Sequence, residues 1–200
     1  MEPFSADSLK EAFRELSEEL RWQRIRAHVY IVGGAAMALG FDSRRQTMDV
    51  DALIKEGHGP VVEAVRRIGR RRGWPDAWLN EEAVSAIPRG KDGRARTVYG
   101  DAYLLVTAAS AEHMLAMKVR SARAKDRGDI AFLVEHLGLT SARDVFDLHD
   151  EAFPHDPPKR QSFRDARDIL KALWPDDRSL ERDDRYGYGA ASEDGANRAP

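Results

Sequence analysis

The sequence predicts an α+β fold with strands in its first half and a helical C-terminal half. Two observations predict it. Short β-prone runs at His28–Val32, Met48–Ile54, Thr97–Tyr99 and Tyr103–Thr107 all precede Ser110. Apolar residues at helical spacing surround these runs and continue alone through the second half. The 200 residues, 42% hydrophobic and 33% charged with no cysteine, suffice for a core without disulfides or zinc–thiolate staples. A mean hydropathy of −0.58 excludes a membrane-spanning chain, and the composition excludes a collagen-like or wholly disordered one. The longest apolar runs are too short for a bilayer, and the N-terminus has neither a basic start nor an apolar signal core. A cytoplasmic protein with no membrane partner is expected.

Each element carries its own signal. Residues 6–26 place Leu9, Phe13, Leu16, Leu20 and Ile25 at helical spacing behind Ser5, a capping residue. His28–Val32 is a strand ended by Gly33-Gly34. Ala35–Leu39 is made of helix formers, and Gly40–Gln46 is turn-like. Met48–Ile54 alternates as a strand, Val50 against Asp49 and Asp51. Val61–Arg72 is a basic helix with Val61, Val65 and Ile68 inward. A mixed region with Trp78, Leu79 and Asn80 follows Gly73-Trp74-Pro75, and residues 90–93 read as a turn before the last two strands. Ser110 caps a helix through Val119. Helices over Asp126–Leu137, Ser141–Glu151 and Ser162–Leu173 complete the set. From Asp176 the chain is polar and aperiodic and reads as a disordered tail. The expected organisation is a core over 1–109, a helical part packed on it over 110–175, and the tail over 176–200.

Net charge is −2, unevenly spread. Arg66, Arg67, Arg70, Arg71 and Arg72 form one basic run; Lys118, Arg120, Arg123, Lys125 and Arg127 form another. Each reads either as a solvated helix face or as a phosphate-contacting stripe. The histidines show no metal-ligand spacing, and His113, at the start of the Lys118 helix, reads as a surface residue.

Residues 30–54 carry the chemistry. Gly33-Gly34 lies between a strand and a helix start, where glycine lets backbone N–H groups approach an anion. By itself it is a tight turn. Asp49 and Asp51 stand two apart in a strand, on one face, where like charges repel unless a cation joins them. By themselves they are edge-strand acids. A carboxylate-only donor set suits Mg²⁺ or Mn²⁺. Arg44, Arg45 and Thr47, between the two features, are able to contact phosphate. Together these are the parts of a phosphoryl or nucleotidyl transfer site. Lys118 shares a helix face with Met114, Leu115 and Ala122, so it either snorkels to solvent or aims into a pocket. Asp126 and Asp129 also share a face. Asp129 lies 11 residues beyond Lys118, about 16 Å along an unbroken helix, so a common site requires a break near Arg127-Gly128. Asp126 otherwise caps the next helix.

The glycine pair, spacer and Asp-x-Asp resemble the motif of DNA polymerase β-type nucleotidyltransferases. More narrowly, GGAAMALG followed by RRQTMDVDALI resembles the AbiEii/MenT-type nucleotidyltransferase toxins, whose Arg-x-Thr-x-Asp-x-Asp pattern is filled here by Arg45, Thr47, Asp49 and Asp51. Lys118, Arg123, Asp126 and Asp129 match the later motif, and Trp78-Leu79-Asn80 is similar to close relatives. The likeness covers roughly Ile31–Leu137. It implies a polymerase β-like nucleotidyltransferase core, a small mixed sheet flanked by helices. It implies Mg²⁺ or Mn²⁺ on Asp49 and Asp51, and an NTP held by Gly33, Gly34, Arg45, Thr47 and Lys118. Asp129 and Asp126 then orient Lys118 or the acceptor. The implied reaction moves NMP to a hydroxyl, the tRNA 3′ end, in a toxin paired with a cognate antitoxin. The alternatives are nucleotidylation of a protein side chain and a non-catalytic, partner-binding member. Two departures stand out. The 14-residue spacer from Ala35 to Met48 is long. The third carboxylate many relatives use has only Asp101 as a candidate.

Overall fold

The first helix, α1 (Ala6–Gln23), begins at Ser5 in the computed structural model, which describes residues 2–42, 45–180 and 185–188. The Ser5 hydroxyl accepts from the Ser8 N–H at 3.2 Å, and the Ser8 hydroxyl accepts from the Ser5 N–H at 2.8 Å. This reciprocal box satisfies two donors at the helix start. Arg24, with φ 56°, ends the helix earlier than the periodicity predicts. The strands are β1 (Ala27–Ile31), β2 (Val50–Glu56), β3 (Leu79–Asn80), β4 (Arg96–Gly100) and β5 (Leu104–Ala108). Helices α2 (Gly33–Gly40) and α3 (His58–Arg72) lie among them, and α4 (Ala111–Ser121), α5 (Arg127–Leu137), α6 (Ala142–Ala152) and α7 (Arg160–Leu173) follow. Two compact units result, Met1–Met114 and Leu115–Pro200, divided within α4. No helix of the described residues is long and apolar enough to cross a membrane.

In the first unit the strands form one sheet in the order β3-β2-β1-β5-β4. β1–β5 and β2–β3 are parallel; β1–β2 and β4–β5 are antiparallel. The fold is α+β, with the small mixed sheet flanked by helices that was expected. Ile31 is paired with Ala52 and Ala108, and Val29 with Val106. All five are fully buried, on the face covered by α1, α2 and α3. Side chains alternate along a strand, so Tyr30, Asp51, Leu53, Lys55 and Thr107 project from the other face.

Two local expectations change. Strand β2 starts at Val50, not Met48, so Asp49 lies in a bend before the strand. β3, within the region that gave no pattern, is two residues long, too short to show a period. Trp78 precedes it, its indole N–H donating to the Val65 carbonyl at 3.0 Å.

The arginine run of α3 is largely neutralised inside the fold. Arg67 donates to Glu19 at 3.0 Å, Arg71 donates to Glu19 at 2.9 Å and to Glu15 at 3.0 Å, and Arg72 donates to Glu15 at 2.7 Å. The run therefore clamps α3 to α1. Burial pushes the Glu15 pKa up, but hydrogen bonds from Arg72 and Arg71 outweigh it and hold the pKa below the usual range. A depressed folded-state pKa adds stability that is present above the unfolded value of about 4.3 and lost as pH falls through the folded value. Thermal melts of wild type and Glu15→Gln are expected to differ most at neutral pH. They should converge on acidification below about pH 4; a gap that stays constant from pH 7 to 3 contradicts the assignment.

In the second unit, Ile130, Leu133, Val145, Phe146, Ala166 and Leu170 are buried, and the Phe146 and Phe163 rings lie 4.8 Å apart. Part of the segment expected as a disordered tail makes contacts where it is described. Asp177 accepts from the Ala142 N–H at 2.6 Å, Tyr186 packs on Phe163 at 5.4 Å, and the Tyr188 hydroxyl donates to the Pro158 carbonyl at 2.9 Å. A few aromatic rings in a polar segment supply the apolar contact that average composition hides. Residues 181–184 and 189–200 of that expected tail lie outside the described residues.

Candidate active site

The chain leaves β1 at Ile31, and the Val32 N–H donates to the Asp51 carbonyl at 2.9 Å. Gly33 follows with φ +63°, a left-handed conformation that favours glycine. The glycine pair is the first turn of α2 and not a loop before it. Val32 gives α2 no side-chain cap, so the helix starts with N–H groups that lack intrahelical partners.

Close approach explains why both positions are glycine. A Cβ on Gly33 would lie 2.8 Å from Asp51 Oδ2. A Cβ on Gly34 would overlap the Thr47 hydroxyl and lie 2.8 Å from Thr47 Cβ. The Asp51 carboxylate and the Thr47 side chain thus rest directly against the elbow. Gly34→Ala is expected to displace Thr47 and reduce kcat/KM by up to about 10²-fold, the cost of a roughly 1 Å misplacement. Far-UV dichroism should stay unchanged; undiminished turnover contradicts the role given to this contact.

Thr47 is tied in place from a distance. Its carbonyl accepts from the Phe4 N–H at 2.6 Å, and its N–H donates to the Phe4 carbonyl at 3.0 Å. The Thr47 hydroxyl donates to the Asp49 carbonyl at 3.1 Å. Arg45 sits against Asp42, Nε to Oδ2 3.8 Å. Arg44 lies outside the described residues. Asp49 is exposed in the bend, and Asp51 is half-buried in β2 opposite Asn80 of β3. Gly33, Gly34, Thr47 and Asp51 are therefore brought together, while only the Asp49 backbone carbonyl, and not its carboxylate, is tied to the group. Phe4 is the supporting residue that motif reading missed. Its signal was an apolar residue just before a helix cap, the position of a hydrophobic staple.

Asp101 is not placed to complete this group. It accepts from Ser17 at 2.5 Å, Tyr99 at 2.8 Å, the Tyr103 N–H at 2.8 Å and the Leu104 N–H at 2.9 Å. Burial pushes its pKa up, but these four donors outweigh it and hold it at about 2. It closes the β4–β5 hairpin at the end where Leu104 pairs with Ala27, whereas Gly33 follows the other end of β1. The strand between spans about 13 Å.

The later motif forms its own cluster in the second unit. Lys118 Nζ lies 3.1 Å from Asp126 Oδ1 and 2.6 Å from Asp129 Oδ2. The helix break that allows this comes at Ala122, with φ 37°, and continues through a 3-10 turn at Ala124–Asp126. It falls upstream of Gly128, which lies inside α5. Asp126 stands at the N-cap of α5 but makes no side-chain cap bond there; its carboxylate instead accepts from the Arg123 N–H at 3.3 Å and Nε at 3.0 Å. Burial pushes the Asp126 pKa up, but the Arg123 hydrogen bond and the Lys118 charge outweigh it and lower it. The second basic run is thus also drawn into ion pairs, with Arg120 on Asp156 as a further example.

Among the described residues no group of three or more His, Cys, Asp or Glu side chains is arranged to hold a metal ion. What the first unit presents is a carboxylate against an uncapped helix start, with a second carboxylate two residues before it. A comparison with curated proteins finds no match. Among solved structures the chain is similar to the crystal structure of an antigenic nucleotidyltransferase-like protein from Paracoccidioides brasiliensis. Identity is 18%, over 90% of this chain and 94% of that chain, with a TM-score of 0.44. Residues 7–150 match the family described as "Nucleotidyltransferase of unknown function (DUF6036)", and the chain belongs to that family.

Proposed function

We propose that the protein is a metal-dependent nucleotidyltransferase that moves NMP from an NTP to the 3′-terminal hydroxyl of tRNA, as the toxin of a toxin–antitoxin pair. The observation that carries the catalytic reading is the Asp51 carboxylate resting on the Gly33 elbow at the start of α2. A helix N-terminus favours phosphate, and a carboxylate beside it would hold a divalent cation. The donor set fits Mg²⁺, which takes one or two carboxylates from a protein and completes its shell with substrate phosphates and water. Asp49 and Asp51 supply that number. When bound, the metal neutralises phosphate charge and polarises the reacting phosphoryl group.

The chain's own residues hold and orient. The N–H groups of Gly33 and Gly34 receive phosphate oxygens, and Thr47 and Arg45 steady the triphosphate. Lys118, held in the second unit by Asp129 and Asp126, is assigned to phosphate charge by the resemblance alone. The acceptor hydroxyl gives up its proton to solvent water, its oxygen bonds the α-phosphorus, and the α–β bridging P–O bond breaks to release pyrophosphate. The tRNA acceptor, the toxin role and the cognate antitoxin rest on the resemblance carried by Arg45, Thr47, Asp49, Asp51 and the Lys118–Asp129 motif.

The test is a labelling assay with each of the four NTPs, with and without Mg²⁺, against purified tRNA and, separately, a protein extract. Metal-dependent label on tRNA is expected. Label on protein alone transfers the reading to a protein acceptor. Growth inhibition that survives Asp49→Asn defeats the catalytic reading in favour of a partner-binding one.

A further inference from the structure

The sheet face that carries Asp51 also carries a pocket. It has a volume of about 300 Å³ and lies between β1, β2 and the segment before β4, with Tyr30, Leu53, Lys55, Arg89, Lys91 and His113 in its lining. That volume is at the small end of ligand sites, enough for one nucleotide unit with neighbouring phosphates on the exposed cations at its rim, and not for a folded polymer. Leu53 is two residues from Asp51 on one strand face, so the pocket edge begins about 7 Å along β2 from Asp51.

Its charge differs from that of the other basic clusters. In those clusters most cations are paired with carboxylates: Arg67, Arg70, Arg71 and Arg72 of α3, and Lys118, Arg120 and Arg123 in the second run. Lys55, Arg89 and Lys91 have no carboxylate partner among the described residues; Lys55 instead lies 4.3 Å over the Tyr30 ring. The acid in the lining is already saturated. Asp92 Oδ2 accepts from Tyr30 at 2.7 Å and from the Ser110 N–H at 2.8 Å, and lies 3.4 Å from His113 Nδ1. Burial pushes the Asp92 pKa up, but these hydrogen bonds outweigh it and lower it. His113 is therefore part of a largely buried network and not a surface residue. The network fixes the 89–92 loop, so that three cations surround a preformed hollow.

We infer that this pocket is the acceptor subsite and takes the phosphodiester backbone of a single-stranded RNA end, whose terminal hydroxyl then lies toward Asp51 along β2. The assignment rests on the nucleotidyl-transfer reading above. A protein acceptor brings a neutral hydroxyl and has no use for three uncompensated cations, whereas an RNA end brings a phosphate per nucleotide.

Binding separates the two claims, because it needs no catalysis. The probe is a fluorescein-labelled tetrauridylate, titrated by anisotropy with the full chain in EDTA over a series of salt concentrations. The variant Lys55→Gln/Arg89→Gln/Lys91→Gln is expected to weaken binding at least about tenfold. Its log K against log salt should be shallower by about 2, because three single-strand phosphate contacts release about 0.7 ion each. Circular dichroism checks the fold, and Lys55→Arg alone should retain the wild-type slope. The subsite is overturned if wild type does not bind the probe, if the triple variant keeps the wild-type slope, or if a phosphoserine peptide binds in its place. It is also overturned if the triple variant raises KM for NTP and not for RNA. Probe binding lost in the triple variant, with no transfer by wild type, leaves the subsite standing and removes the catalytic reading. Transfer with an unchanged acceptor KM in the triple variant does the reverse.

Discussion

Asp51→Asn is expected to lower nucleotidyl transfer by at least about 10²–10³-fold, the cost of removing one preorganised electrostatic contact from a reacting phosphate. Asparagine keeps the volume and the packing against Gly33, so the change removes charge and little else. The Asp51 backbone also stays in register, accepting from the Val32 N–H and pairing with Asn80. Melting temperature should therefore hold within a few degrees while kcat/KM collapses and excess Mg²⁺ fails to restore it. Asp51→Glu is expected to inactivate for a different reason. One added methylene carries the carboxylate off the Gly33 elbow on which the aspartate rests. Turnover within threefold of wild type in Asp51→Asn would falsify the assignment.

Phe4→Ala is expected to carry the largest stability cost, about 3–5 kcal/mol, equivalent to a fall of roughly 10 °C in melting temperature for a chain of this size. Phe4 is 2% exposed, with its ring centroid 4.8 Å from that of Trp74 and 5.9 Å from that of Trp78. Truncation opens a cavity in that cluster and loosens the backbone bridge that holds Thr47 at the glycine elbow. Stability and function should fall together, with KM for NTP rising even at temperatures where the variant is fully folded. Phe4→Leu, which refills most of the volume, should recover the greater part of both. A destabilised variant with unaltered KM shows instead that Phe4 supports only the core.

The reach of local information explains what was legible beforehand. Capping at Ser5, the 3.6-residue periodicity of α1 and α3 and the stop at Gly138 are set by neighbours in sequence, and they lie where expected to within a turn. Gly33, Gly34 and Asp51 were legible as motif residues, but their contact was not, because helix α2 and the segment after it separate the elbow from β2. The need for a break between Lys118 and Asp129 followed from helical rise alone. Its location did not, since Ala122 rather than Gly128 adopts the left-handed conformation.

By itself, then, the sequence determined the α+β class and the order of elements, because each depends on patterns within a few residues. Only the tertiary structure decided the rest: that Asp49 sits in a bend, that Phe4 secures Thr47, that Asp101 belongs to a hairpin at the other end of β1, and that the α3 arginines are held by α1 while Lys55, Arg89 and Lys91 are not. The physical reason is common to all four. A charge or a ring acquires its role from the partner that folding brings to it, and such partners are distant in sequence and leave no periodic trace.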